Sequence, residues 1–186
     1  MRKFKVTEDI LTGNITKLRA IELSDIDLIY SWENDSSIWQ LSNTLTPFSR
    51  HVIRQFIENS HQDIFQLKQL RLMIDKIDEN KTETIGTIDL FDFDPIHKRA
   101  GVGILIAQAE DRGKGYASDA LDTLINYSFY TLQLHQLYCN ITEDNRESLK
   151  LFQSKGFQLI GTKRDWLIYP KGRKDEFMFQ LINNEN

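Results

Sequence analysis

A chain of 186 residues, 40% hydrophobic and 27% charged, is long enough for one well-buried core and short for two, so residues 1-186 read as a single domain. A formal net charge of −4 supplies no broad basic face, which argues against nucleic acid as the main partner. The lone cysteine, Cys139, excludes an internal disulfide and a cysteine-based zinc cluster, the scattered histidines give no metal site, and no apolar run reaches signal-peptide or membrane-spanning length. A cytoplasmic protein without membrane contact is expected, and a homo-oligomer is compatible with the sequence.

Residues 1–14 are polar and end on Thr12-Gly13-Asn14, a turn signal, so they are expected to run over the surface. From Ile15 to Leu23 apolar residues recur nearly every second or third position, as an edge strand allows. Ser24 is placed to cap a helix with Asp25 and Asp27 in its first turn, where carboxylates oppose the positive end of the helix dipole. That helix presents Ile26, Ile29, Tyr30 and Glu33. A second segment begins after Asn34-Asp35-Ser36, and beyond Pro47 and Ser49 the residues Val52, Ile53, Phe56 and Ile57 share one helical face.

Leu70 to Ile74 and Thr84 to Phe91 read as two strands joined by the charged loop 78–82. In the second, alternation puts Thr87, Asp89 and Phe91 on one face and Ile88, Leu90 and Asp92 on the other. After Asp94-Pro95, Arg99 to Ile106 makes the next strand, where Gly101 and Gly103 invite a bulge or a close approach of another backbone.

The stretch that carries chemistry comes next, Arg112-Gly113-Lys114-Gly115-Tyr116-Ala117. It lies between that strand and a helix whose stripe of Ala117, Ala120, Leu121, Leu124, Ile125, Ser128 and Phe129 must pack on the sheet. The first turn of a helix leaves backbone N–H groups unpaired at the positive end of the dipole, and a phosphate satisfies both. Glycines at 113 and 115 free the backbone to take the needed turn and keep Cβ atoms away from an approaching anion. Neither Gly-x-x-x-x-Gly-Lys-Ser/Thr nor Gly-x-Gly-x-x-Gly is met, which weakens a nucleotidase or dehydrogenase reading.

Gln136 to Thr142 follows as a parallel strand with Leu137, Cys139 and Ile141 inward, Cys139 serving as buried packing. Asp144 with Glu147 makes a capping box for a helix that runs to Lys155 and stops at Gly156. Phe157 to Ile160 and Asp165 to Tyr169 form one long bent strand. The turn 170–174 then leads to Glu176 to Ile182, with Phe177, Phe179 and Leu181 alternating inward.

Arg112, Gly115 and Ala117 resemble the Gln/Arg-x-x-Gly-x-Gly/Ala pyrophosphate signature of the GNAT superfamily of acyl-CoA-dependent N-acyltransferases. Asn145 through Phe157 resembles its second coenzyme A segment, Asn-x-x-x-x-x-x-Tyr-x-x-x-Gly-Phe. Leu18 to Asp25 together with His97 to Ala100 looks like the branch holding spermidine N-acetyltransferases and the ribosomal-protein N-terminal acetyltransferases. Polyamine enzymes tend to carry paired acidic residues after the first helix, and the corresponding stretch, Ser42 to Pro47, has none.

The resemblance implies an α/β (α+β) GNAT fold, with a central mixed, mostly antiparallel sheet of about seven strands, splayed in the middle and flanked by helices. It implies acetyl-CoA as co-substrate, no metal, and an amine acceptor: a polyamine, an amino sugar or a protein N-terminus. Arg112, Gly113, Lys114, Gly115, Tyr116 and Ala117 would hold the diphosphate. Ile104, Leu105 and Ile106 would run along the pantetheine arm, Asn145 would contact it, and Lys150 and Lys155 would meet the distal phosphate. Glu33, Trp32 and Trp39 would wall the acceptor site, and Asp89, Asp92 and Glu33 are the carboxylates placed to help deprotonate the amine. Phe152 stands where many relatives have a tyrosine that protonates the departing thiolate, so it would only pack against pantetheine. The competing reading is a non-catalytic coenzyme A-binding or protein-interaction module.

Overall fold

The computed structural model describes residues 9–42, 44–60, 62–77, 82–170 and 172–184, and of 40–42 the backbone alone. Residues 1–8 of the N-terminal arm, 78–81 of the charged loop, Asn43 and Lys171 lie outside it. The strands are β1 (Thr16–Ala20), β2 (Leu70–Lys76), β3 (Glu83–Asp94), β4 (Arg99–Ile106), β5 (Gln136–Thr142), β6 (Gln158–Tyr169) and β7 (Gly172–Ile182). The helices are α1 (Ile26–Glu33), α2 (Ser36–Ser42), α3 (Arg50–Asn59), α4 (Ile64–Leu67), α5 (Tyr116–Asn126) and α6 (Arg146–Ser154).

The strands form one sheet in the order β1-β2-β3-β4-β5-β7-β6. Neighbours pair antiparallel except β4 and β5, which run parallel and share only Arg99↔Gln136, Ala100↔Leu137 and Gly101↔Tyr138. β4 stays on β3 as far as Ile106 and β5 stays on β7 as far as Thr142. Past Gly101 each therefore keeps its outer partner and loses the inner one, which is the splay expected of the sheet.

Helices cover both faces. Ala120, Leu121, Leu124 and Ile125 of α5 are buried with Leu72, Ile74, Ile88 and Leu90 of the sheet, as their helical spacing requires. On the opposite face Ile29 and Trp32 of α1 and Ile53 and Ile57 of α3 close over Met73. Gly86 is fixed by this packing, since a Cβ there would sit 1.9 Å from the Leu105 carbonyl oxygen, a backbone atom that cannot turn aside. Gly86→Ala is expected to cost about 2 kcal/mol in urea unfolding; a variant within about 0.5 kcal/mol of the parent would show that β3 and β4 can separate cheaply.

Several local expectations are corrected. β1 ends at Ala20, and α1 is entered through a 3-10 turn, Leu23–Asp25, capped by the Asp25 carboxylate, which accepts from Glu22 N at 2.8 Å. Ser24 is not the cap because Arg19 draws Asp25 inward, its Nη1 lying 2.7 Å from Asp25 Oδ2. The bulge lies on β3 and not on β4: register shifts between Phe91 and Asp94, and Asp92 takes a left-handed φ of 49°. Gly101 is needed for a different reason, a Cβ there falling 2.3 Å from the Phe91 ring. The C-terminal turn of α5 widens into a π-helical Tyr127–Thr131, and α4 is additional. β6 is bent as expected, with register shifts at Leu159/Gly161 and Lys163/Leu167 against β7. No described helix is long and apolar enough to cross a membrane.

Candidate active site

The chain leaves β4 at Ile106, makes a 3-10 turn at Ala109–Asp111 and enters α5 through the glycine loop. Gly113 and Gly115 take φ of +74° and +90°, the left-handed region that glycine enters without strain. Residues 112–115 are exposed, and a Cβ on Gly113 would meet nothing within 4 Å. Gly115 is the N-cap and no side chain caps the helix. The first helical bond runs from Asp119 N to Gly115 O at 3.0 Å, so α5 itself leaves the N–H groups of Tyr116, Ala117 and Ser118 unused.

The charges beside this loop are deployed unequally. Arg112 turns back, donating from Nε to Ile106 O at 3.0 Å and from Nη2 to Ala107 O at 2.9 Å, and so ties the loop to the carbonyls freed where β4 ends. Lys114 is exposed, its Nζ 3.8 Å from Asp111 Oδ1. Tyr116 and Ala117 are half-buried against the core.

From Gly101 onward the parted strands border a cleft of about 630 Å³. Gly103, Ile104 and Leu105 line one side and Cys139 to Thr142 the other, with Asn145, Ser148 and Phe152 of α6 below; Ile106 is buried at the end of the strand. Asn145, not Asp144, caps α6, accepting from Ser148 N at 3.1 Å, because Asp144 is engaged in an ion pair with Lys174. Phe152 is 3% exposed and meets Phe157 edge-on at 5.0 Å. Lys150 is exposed, and Lys155 pairs with Asp122, joining α6 to α5. Burial pushes the Cys139 thiol well above its usual range, so it is a protonated packing residue.

At the other end of the cleft three elements bring charges together. Arg71 on β2 donates from Nη1 to Glu33 Oε1 at 2.6 Å, at the end of α1, and from Nε to Asp89 Oδ1 at 2.7 Å, on β3. The Phe56 ring lies over the guanidinium, 5.3 Å from its centroid. Burial works against the Arg71 charge and the carboxylates of Asp89 and Glu33 outweigh it, so the guanidinium is held charged beyond its already high range. Trp39 Nε1 donates to Glu33 O at 2.7 Å and steadies the helix end, while Trp32 is at once core and cleft wall.

Asp92 stands apart from this cluster. The bulge turns it away from the cleft, where it is exposed and accepts from the Tyr138 hydroxyl at 3.2 Å. Burial and the Asp92 charge push that hydroxyl up to about 12. Two of the three carboxylates therefore meet, and Arg71 joins them unanticipated. Its signal was present in the sequence: a single cation inside the apolar run Leu70 to Ile74, which the hairpin register sets opposite Asp89.

A family model described as an acetyltransferase (GNAT) domain matches residues 16–158. The chain belongs to the GNAT acetyltransferase family. An uncharacterised N-acetyltransferase of Bacillus licheniformis, p20, is 31% identical over 184 residues, covering 96% of this chain and 98% of that one. The spermidine N(1)-acetyltransferase of Vibrio cholerae is 28% identical over 140 residues, 75% of this chain and 77% of that one. The crystal structure of the Vibrio cholerae spermidine N-acetyltransferase in complex with CoA and spermine matches the fold with a TM-score of 0.80 at 22% identity, over 90% of this chain and 95% of that one. The GNAT fold and N-acetyltransferase class read from the two motifs are thus borne out.

Proposed function

We propose that this GNAT enzyme moves an acetyl group from acetyl-CoA to a primary amine by direct attack, the amine belonging to a small molecule or a protein N-terminus. The observation that carries the reading is the parting of β4 from β5, which opens one cleft from the face of α6 to the Glu33–Arg71–Asp89 cluster. The residues fit the coenzyme: the glycine loop is exposed and uncapped, and nothing stands over Gly113. When bound, acetyl-CoA supplies the activated thioester carbonyl.

In this reading the N–H groups at the start of α5 hold the diphosphate, with Lys114 adding charge. Backbone groups of Ile104 to Ile106 hold the pantetheine as a further strand would, Asn145 keeps α6 in place, and Phe152 packs against the arm. Lys150 and Lys155 are our candidates for the distal phosphate, Lys155 at the expense of its pairing with Asp122. An aliphatic ammonium must lose a proton about 3.4 pH units below its ordinary pKa, roughly 4.6 kcal/mol at neutrality. Desolvation in the cleft lowers that cost, and Asp89 and Glu33 keep lone pairs, beyond those given to Arg71, through which a water takes the proton. Phe152 has no proton to give, but a thiol of pKa about 8.5 leaves readily and solvent protonates it. We place the enzyme in the cytoplasm.

Calorimetry with acetyl-CoA and thiol release with a panel of polyamines, amino sugars and peptides test the reading. Gly115→Asp is expected to weaken acetyl-CoA binding by about tenfold or more, since it sets a carboxylate at the anion site. Failure of the parent protein to take up acetyl-CoA, or uptake without acetylation of any amine, would refute it; the latter outcome would favour the non-catalytic module.

A further inference from the structure

Behind the charged cluster lies a second cavity, of about 270 Å³, between the turn from α3 to α4 and the adjoining ends of β1 and β2. Phe56, Gln69 and Arg71 line both this chamber and the cleft, and so form the partition between them. Glu33 and Asp89 line the cleft alone. Among the described residues no carboxylate lines the chamber. Its polar groups are the amides of Asn59, Gln62 and Gln69 and the Ser60 hydroxyl, set beside Ile21 and Ile64.

The two compartments therefore differ in what they tolerate. The cleft carries two carboxylates against one guanidinium and attracts a cation. An ammonium in the chamber would lose water, face the Arg71 charge and find no anion of its own, which is costly. A hydroxyl or amide there loses little, because side-chain amides both donate and accept. Building on the acetyltransferase reading, we propose that the chamber receives the far end of the acceptor and selects amines whose tail ends in an uncharged hydrogen-bonding group over diamines and polyamines.

The test is thiol release from acetyl-CoA with matched straight-chain amino alcohols and diamines of equal length, using the parent protein and Asn59→Asp. Asn59 lies at the exposed end of α3 and lines the chamber but not the cleft, so this change adds a carboxylate to the chamber alone. The parent is expected to favour the amino alcohol in kcat/KM by about tenfold, and Asn59→Asp to shrink that ratio by a similar factor. A parent that favours the diamine, or a ratio that Asn59→Asp does not move, overturns the proposal. In either case thiol release with any amine leaves the acetyltransferase reading standing, whereas no release with any amine removes both.

Discussion

Asp119→Ala is expected to lower the unfolding free energy at neutral pH by about 3 kcal/mol and to weaken acetyl-CoA binding with it. Asp119 sits in the first turn of α5, yet its carboxylate faces away from the glycine loop, into the chain that leads into β1. Oδ1 accepts from Asn14 N and Asn14 Nδ2, each at 3.0 Å, and Oδ2 accepts from Ile15 N at 3.0 Å, Thr16 N at 2.9 Å and Thr16 Oγ1 at 2.7 Å. Thr16 is fully buried, so truncation leaves donors that water cannot reach. The start of the helix whose N–H groups are proposed to hold the diphosphate is located by this one side chain, and Asp119→Asn would not restore it, because an amide turns a second set of donors toward donors already there.

The same contacts fix a pH dependence. Burial pushes the Asp119 carboxyl up, and the donors of Asn14, Ile15 and Thr16 outweigh burial, so its native pKa lies below the usual carboxylate range. A depressed native pKa contributes stability that is full above the unfolded value, about 3.9, and is lost as pH falls through the native value. The gap between parent and Asp119→Ala in urea unfolding should therefore be widest at neutral pH and narrow on acidification. A gap of constant size, or none, would show that these hydrogen bonds do not hold the helix start.

What the sequence made legible was local. The run into Ile106, the glycines at 113 and 115 and the stripe from Ala117 to Ile125 each express a rule that acts within a few residues, and the loop and helix stand where those rules put them. Gly156, with φ of +92°, ends α6 for the same reason. What escaped depended on partners distant in sequence. Asp144 and Asn145 are equally good caps by type, and the choice is made by Lys174, which pairs with Asp144 across the β7 turn. Alternation assigns Asp92 to the face opposite Asp89, but a left-handed non-glycine residue at a bulge is invisible to a period of two, and that bulge decides where Asp92 points. Arg112 carries the motif's cation, yet carbonyls left free at the end of β4 claim two of its donors. Arg71 required the hairpin register and the end of α1 together.

Arg71→Met is expected to move KM and kcat for a cationic amine in the same direction, both downward, and to shift the kcat profile to higher pH. With Arg71 in place, the cluster holds two carboxylates and one guanidinium within 2.7 Å contacts and carries a net charge of −1. Without it, two carboxylates face the acceptor unpaired. At an effective dielectric constant near 20, a further charge about 4 Å away is worth up to roughly 4 kcal/mol, and exposure to cleft water reduces this to about 1 to 2 kcal/mol, or roughly one pH unit on a bound ammonium. The substrate then binds more tightly in the form that cannot attack, so KM falls, kcat at neutral pH falls about tenfold, and the alkaline limb moves out by about one unit. The fold pays as well, because Glu33 and Asp89 lose a shared partner in a half-buried site, at about 3 kcal/mol. Arg71→Lys separates charge from geometry: a single ammonium restores the net charge and much of the pH profile, but it cannot repeat the fork that spans both carboxylates, so kcat/KM stays below the parent. A Met variant whose pH profile stays in place, or whose KM rises while kcat is unchanged, would show that the cluster does not face the reacting amine.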